Sequence, residues 1–213
     1  MSRPKGIKRI KKSIRKQDLL RLIAFLDQKK ADILKIKNKS VKLQLQKIHN
    51  SKIAFYILFH TGLRVSELVD IKMEHIKEAI LDREFSIFQS KQSRARSVSI
   101  SVEAAQIFRE IFNEQLNEMS LNSYAIRKHG KSNSKLSENY MQEFLNKTMK
   151  EVLGDRYTTH SFRKGLINDL LKNGYHASEV QEIVGHADVR TTLLYANRTD
   201  IDRRKEMMNS ERS

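Results

Sequence analysis

Apolar residues recur every three or four positions along most of this chain, which is the spacing of helices that bury one face. Each such stretch ends at a glycine or in a polar run, and Gly62 suits the position just after a helix. The stretches that this pattern predicts as helices are residues 17–38, 42–60, 66–71, 102–119, 137–153, 160–173, a short segment from Ser178, and 199–209.

A second pattern, in which short apolar runs alternate with polar residues, is confined to the region between residues 79 and 101. Runs at 79–81 and 85–88 flank a polar turn, and residues 97–101 alternate strictly between polar and apolar. This pattern is typical of short strands. We therefore predict a mostly α member of the α+β class, with a small three-stranded antiparallel sheet.

The charge of the chain indicates a polyanionic partner, since the formal net charge is +16 and the pI is near 10.0. The first 50 residues hold 16 Lys and Arg against three Asp, whereas the rest is nearly neutral. Residues 1–16 contain no acidic residue, and we interpret them as a flexible basic arm that contacts nucleic acid. A solvated tail and an organelle transit peptide are the alternatives.

Composition also excludes some classes of protein. The chain has no cysteine, which rules out disulfide frameworks and cysteine-based zinc sites. No apolar run approaches the ~20 residues that a membrane span needs.

Four separated motifs carry residues suited to chemistry on a phosphate. In the first, TGLRVSEL, Arg64 follows a predicted helix end and Glu67 is spaced to orient its guanidinium. In the second, SKQSRAR, Lys91 lies between two predicted strands, where a hairpin delivers an ammonium into a groove. An ordinary Arg–Glu surface pair and a charged β-turn are the alternatives for these two motifs.

The third motif, HSFR, places His160 and Arg163 on one face at the start of a predicted helix, where a helix N-terminus also favours an anion. The fourth, GHADVRTTLLY, places Tyr195 nine residues after His186. A histidine that only caps or packs, and a tyrosine that only fills a core, are the alternatives.

Taken together, these side chains suit phosphoryl transfer without a metal or other cofactor. Arginines neutralise the non-bridging oxygens as phosphorus becomes five-coordinate. A tyrosine with a pKa near 10 needs a proton acceptor to become a nucleophile, and a departing deoxyribose oxygen needs a proton donor. The motifs contain no acidic cluster suited to Mg²⁺.

These motifs, in this order and spacing, resemble those of the tyrosine recombinase family, also called the phage-integrase family, from about residue 18 to residue 195. The resemblance makes Tyr195 the nucleophile, which forms a 3′-phosphotyrosine and releases a 5′-hydroxyl. The family's hairpin commonly has glycines where this chain has Ser90 and Gln92. The remaining residues take roles by the same resemblance: Arg64, Arg163 and His186 hold the phosphate, His160 handles the tyrosine proton, Lys91 protonates the leaving oxygen, and Glu67 supports Arg64.

The resemblance also implies a domain plan and partners. We expect a basic arm at 1–16, a catalytic domain at 17–198, a C-terminal helix and tail at 199–213, and no separate core-binding domain. The partner is double-stranded DNA, on which family members form homotetramers across two sites, with a monomer as the alternative state off DNA. The compartment is a prokaryotic cytoplasm or nucleoid, or a plastid or mitochondrion. The expected DNA contacts are Arg94, Arg96, Lys5, Lys8, Arg9, Lys11 and Lys12.

Three other functions fit part of the sequence. A type IB topoisomerase-like relaxing enzyme uses the same chemistry without strand exchange. A DNA-binding remnant or accessory factor explains the charge and the arm. A basic ribosome-associated protein explains the charge but none of the motifs.

Overall fold

The computed structural model describes residues 11–36, 40–89, 94–128 and 134–185, with the side chains of Gln89 and Arg94 also left out. Predicted features at the hairpin tip and after Gly185, including the helix over 199–209, lie outside these residues. The described elements are, in chain order, α1 (Lys16–Leu34), α2 (Val41–Thr61), α3 (Val65–Leu68), α4 (Met73–Leu81), β1 (Glu84–Gln89), β2 (Arg94–Ser99), α5 (Val102–Glu118), α6 (Glu138–Leu153), α7 (His160–Lys172) and α8 (Ala177–Val184).

The core forms around α2, which packs against both α1 and α7. Ile53, Phe55 and Leu58 of α2 are fully buried, and the ring of Phe55 stacks on that of Phe162 at 5.6 Å between centroids. Helices α4 and α5 pack on each other, and α6 packs on α1. The prediction of a mostly helical α+β fold is confirmed.

The sheet consists of β1 and β2, paired antiparallel with Phe85 opposite Val98 and Ile87 opposite Arg96. Alternate side chains face the core, so Phe85, Ile87 and Val98 are buried while Phe88 is exposed. Arg96 therefore occupies an inward position of the strand that apolar residues fill elsewhere.

The predicted three-stranded sheet is wrong in one strand, because residues 79–81 form the last turn of α4 and the sheet of the described residues has two strands. Met73, Ile76, Ala79 and Ile80 recur at helical spacing and are buried. A three-residue apolar run fits the end of a helix as well as a strand, and packing on α5 decides between them.

Helix α8 is attached by a small apolar cluster of its own. Val180 and Val184 are fully buried against Ile167 and Leu171 of α7. Helix α8 also contacts β2. The last turn of α8 therefore lies between α7 and the hairpin.

The chain approaches α1 as an extended segment, residues 11–15, that lies along the start of α7. The backbone N–H groups of Lys12 and Ile14 donate to the carbonyl oxygens of Arg156 and Ser161, both at 3.0 Å. Ile14 is buried. Gly165 permits this approach, because a Cβ at that position would overlap the carbonyl oxygen of Ile14.

None of the helices in the described ranges is both long enough and apolar enough to span a membrane.

Replacing Gly165 with alanine is expected to lower the free energy of unfolding by about 2 kcal/mol, the order of the burial free energy of one isoleucine. A loss of stability would be the opposite of the usual result, because Gly→Ala inside a helix normally stabilises by roughly 1 kcal/mol. Urea unfolding measures the change. Ile14→Ala removes the buried side chain that anchors the same segment. Because both changes loosen the docking of one segment, the double variant should lose much less stability than the sum of the two single losses. Additive losses, or a stabilised Gly165→Ala, would show that the segment does not dock here.

Candidate active site

The first arginine is presented by the turn that ends α2. Gly62 adopts the left-handed conformation with φ 61°, and its N–H donates to the Leu58 carbonyl at 3.0 Å. The chain then turns into α3, whose N-cap is Arg64. A side chain at position 62 would also meet Leu166, since a Cβ there would lie 2.7 Å from its Cδ2.

Glu67 holds Arg64 by two hydrogen bonds. The backbone N–H of Arg64 donates to Oε2 at 2.8 Å, and its guanidinium Nη1 donates to Oε1 at 3.0 Å. The Glu67 side chain is 5% exposed and that of Arg64 is 26% exposed, so this contact is a partly buried ion pair. The predicted orienting role of Glu67 therefore has a geometric basis, distinct from an exposed surface pair.

The second arginine, Arg163, reaches the same place from α7. Its Nη1 donates to the Gly62 carbonyl at 2.9 Å, and its Nη2 donates to the Val184 carbonyl. The side chain is buried. Arg163 thus ties the turn that presents Arg64 to the end of α8.

A third arginine, Arg96, joins them from β2. Its Nη1 donates to the Ile183 carbonyl at 3.0 Å, and its Nη2 lies 3.4 Å from Oε2 of Glu67. Glu67 is therefore shared between Arg64 and Arg96. Arg96 was predicted to contact DNA, but its side chain is 6% exposed and reaches protein groups.

Three carbonyls at the end of α8, those of Ile183, Val184 and the C-cap Gly185, each accept a hydrogen bond from a different guanidinium. Arg96 donates to the first, Arg163 to the second, and Arg64 to the third at 3.3 Å. We call these three oxygens the α8-end carbonyls. The carbonyls at a helix C-terminus have no partner within the helix and carry partial negative charge, so cations are favourable there.

The cluster of Arg64, Arg96, Arg163 and Glu67 carries three positive charges and one negative charge. Burial strengthens its field, because the surrounding dielectric is low. Such a positively charged cluster suits an anion such as a phosphate group.

His160 is the first residue of α7 and lies one turn before Arg163 on the same face. It is exposed, whereas Arg163 is buried. His160 is therefore accessible from solvent at a position one helical turn from the buried Arg163.

The structure thus brings together Arg64, Glu67 and Arg163 of the predicted site, and His160 lies one helical turn before Arg163. Lys91, His186 and Tyr195 lie outside the described residues, although His186 directly follows Gly185. Lys5, Lys8 and Arg9 are also outside. Lys11 and Lys12 are exposed beside the 155–157 loop, with the Lys12 ammonium 5.8 Å from the Tyr157 ring centroid. Only the backbone of Arg94 is described.

Sequence reasoning missed the inward orientation of Arg96, although a signal was present. Arg96 is in phase with Val98 and Ile100, which are both buried. The alternation already recognised in residues 97–101 therefore extends back to Arg96 and places it on the core face.

Comparison with known proteins agrees with this geometry: residues 12–201 match the model of the Phage integrase family. The chain belongs to that family. The tyrosine recombinase XerD of Staphylococcus saprophyticus is 29% identical over 181 residues, which cover 80% of this chain. The chain spans 59% of the length of that recombinase.

Solved structures of recombinases share the fold. The XerA recombinase superposes with a TM-score of 0.66 at 18% identity, covering all of this chain and 67% of the other. The XerH site-specific recombinase bound to a palindromic difH substrate superposes with a TM-score of 0.65 at 16% identity, covering 96% of this chain and 54% of the other.

Replacing Glu67 with glutamine is expected to destabilise the protein by about 3 kcal/mol, because breaking a buried ion pair leaves guanidinium groups without their counter-charge. Urea unfolding measures this change. The matched control is Glu74→Gln, which removes the partly exposed Lys72–Glu74 pair and should cost less than about 1 kcal/mol. Equal losses in the two variants would contradict a special role for the Glu67 carboxylate.

Proposed function

We propose that this chain is the catalytic part of a site-specific DNA recombinase, which breaks and rejoins DNA through a covalent bond between Tyr195 and a backbone phosphate. The observation that carries the proposal is the meeting of Arg64 and Arg163 at the α8-end carbonyls. These arginines come from motifs nearly a hundred positions apart. The next residue in the sequence after Gly185, the last of the α8-end carbonyls, is His186 of the fourth motif.

The chemistry follows from the residues in these motifs. The Tyr195 phenol oxygen attacks phosphorus and gives its proton to His160. The bond to the 5′ oxygen breaks, and Lys91 protonates that oxygen as it leaves as a hydroxyl. Arg64, Arg163 and His186 stabilise the charge on the non-bridging oxygens. Because one phosphodiester replaces another, a 5′-hydroxyl from a partner strand reverses the step without an energy source.

The contacts of the arginines with protein carbonyls are compatible with phosphate binding. A guanidinium carries five N–H donors, and fork-shaped binding of phosphate uses only two. The contacts with Glu67 and the α8-end carbonyls fix the plane of each guanidinium before DNA arrives. Such preorganised donors lower the barrier for charge that develops in the transition state.

Double-stranded DNA is the proposed partner, in keeping with the net charge and with the difH substrate bound by the XerH recombinase. We further propose that four copies act together on two DNA sites, and that Arg94 and the basic residues of the arm contact the DNA backbone. The matching recombinase from Staphylococcus supports a bacterial cytoplasm as the compartment.

The covalent intermediate is the decisive test. Purified protein mixed with supercoiled DNA from its own genome, then denatured with detergent, is expected to leave protein attached to DNA through a tyrosine. Tyr195→Phe should abolish the adduct, because no other group supplies the attacking oxygen. Sequencing the DNA ends identifies the cleaved site.

Tyr175→Phe, a change at an exposed tyrosine on the loop after α7, is the matched control and should leave adduct formation intact. DNA binding without any adduct from the wild-type protein would favour an accessory factor. Adducts spread over unrelated sequences, with relaxation of any plasmid, would favour a topoisomerase-like enzyme.

The basic arm is expected to contribute to the salt dependence of DNA binding. Each phosphate contact contributes about 0.9 to the slope of log K against log salt concentration. Neutralising four arm residues should therefore flatten the slope by roughly 1–3 units. The residues to replace with glutamine are Arg3, Lys5, Lys8 and Arg9.

A control with the same loss of charge replaces four exposed residues of the helices with glutamine, namely Arg109, Lys147, Lys150 and Lys172. Fluorescence anisotropy at several salt concentrations measures both slopes. An equal slope change in the two variants would show that the arm acts only through net charge.

A further inference from the structure

We propose that Arg96 is a positioning residue of the recombination reaction: it fixes Glu67 and the end of α8, and through them Arg64 and the start of the His186 segment, without touching DNA. This inference rests on the proposed function. It replaces the DNA contact that the sequence alone suggested for this residue.

The burial of Arg96 favours a role inside the protein. Its side chain is 6% exposed and occupies the core face of β2, opposite Ile87 and in phase with Val98. Desolvating a guanidinium at such a place is costly unless hydrogen bonds and counter-charge offset the cost. Glu67 and the end of α8 supply both.

The first path runs through the shared carboxylate. Oε2 of Glu67 accepts from the Arg64 backbone at 2.8 Å and faces the Arg96 guanidinium at 3.4 Å, while Oε1 accepts from the Arg64 guanidinium. Arg96 thus restrains the carboxylate from the side of the hairpin. Because Glu67 in turn orients Arg64, a rotation of the carboxylate moves a phosphate-binding group.

The second path runs through α8. Arg96 holds the carbonyl of Ile183, the first of the α8-end carbonyls, and so fastens this helix end to the hairpin. The chain reaches His186 three residues later. Strand β2 begins three positions after Lys91 in the sequence, so one guanidinium fixes the described segments that adjoin two proposed catalytic residues.

These paths predict a loss of rate rather than of affinity. A shift of about 1 Å in a catalytic group can slow a reaction by roughly a hundredfold. A residue that contacts DNA would instead weaken binding and leave the rate at saturation unchanged. A residue that only stabilises the fold would lower the melting temperature and leave the rate of the folded protein unchanged.

The test uses a nicked duplex carrying the sequence that the wild-type protein cleaves, and measures single-turnover adduct formation at saturating DNA. Arg96→Met is expected to slow the reaction at least tenfold. Its Kd for the duplex should stay within about twofold of that of Arg109→Met, which removes the same charge from an exposed site on α5. Melting curves identify the temperature at which each variant is fully folded.

Arg96→Lys provides a second variant that keeps the charge. An ammonium lacks the planar fork that reaches Ile183 and Glu67 together, so we expect an intermediate rate, roughly threefold to tenfold below wild type. If Arg96→Met fails to fold, this variant decides: a wild-type rate at saturation would overturn the proposal.

A double-variant cycle tests the path through Glu67. In a Glu67→Gln background, the effect of Arg96→Met on the rate should shrink to less than about threefold, because both changes act on one contact. An undiminished tenfold effect would overturn this path.

The outcomes separate the two proposals. If the wild-type protein forms no adduct, the proposed function fails and the role of Arg96 fails with it. If the wild-type protein reacts and Arg96→Met reacts equally fast at saturating DNA, only the positioning role is overturned. If Arg96→Met raises the Kd for DNA and leaves the rate at saturation unchanged, a direct contact between Arg96 and DNA is favoured instead.

Discussion

The arrangement of the site depends on one interaction, the capping of the α8-end carbonyls by three guanidiniums. A helix that ends at a buried position leaves acceptors that water cannot reach, and these acceptors need donors from elsewhere in the fold. Here the donors come from the turn after α2, from β2 and from α7. Satisfying the end of one short helix therefore also gathers positive charge at the proposed phosphate site.

The rest of the fold holds these donors in place. The stacked rings of Phe55 and Phe162 join α2 to α7. Arg64 lies just after the C-terminal end of α2, and Arg163 lies in the first turn of α7. Helix α8 is fixed to α7 by its own apolar cluster. The hairpin places Arg96 by the simple alternation of its strands. Each arginine is thus carried by a packed element or by a short turn between two such elements.

Glu67 makes this concentration of charge tolerable. Three guanidiniums in one buried cluster repel each other, and the single carboxylate offsets part of that repulsion while fixing two of the groups. The excess positive charge that remains suits the dianionic character that a phosphate acquires during attack. Stability and chemistry therefore draw on the same unbalanced cluster, which is common at active sites.

The sequence by itself determined most of the described helices, though not α4, together with the α+β class and the four motifs, because periodicity and residue type are local properties. It also singled out Arg64, Glu67 and Arg163, whose side chains the fold gathers around the turn after α2 and the end of α8. It misassigned residues 79–81, since only packing on α5 separates a helix end from a strand there. The alternation of the strand already indicated the inward orientation of Arg96, although that signal was missed. The capping of α8 by three guanidiniums was decided by tertiary structure alone, because it joins elements far apart in sequence whose contacts no local pattern records.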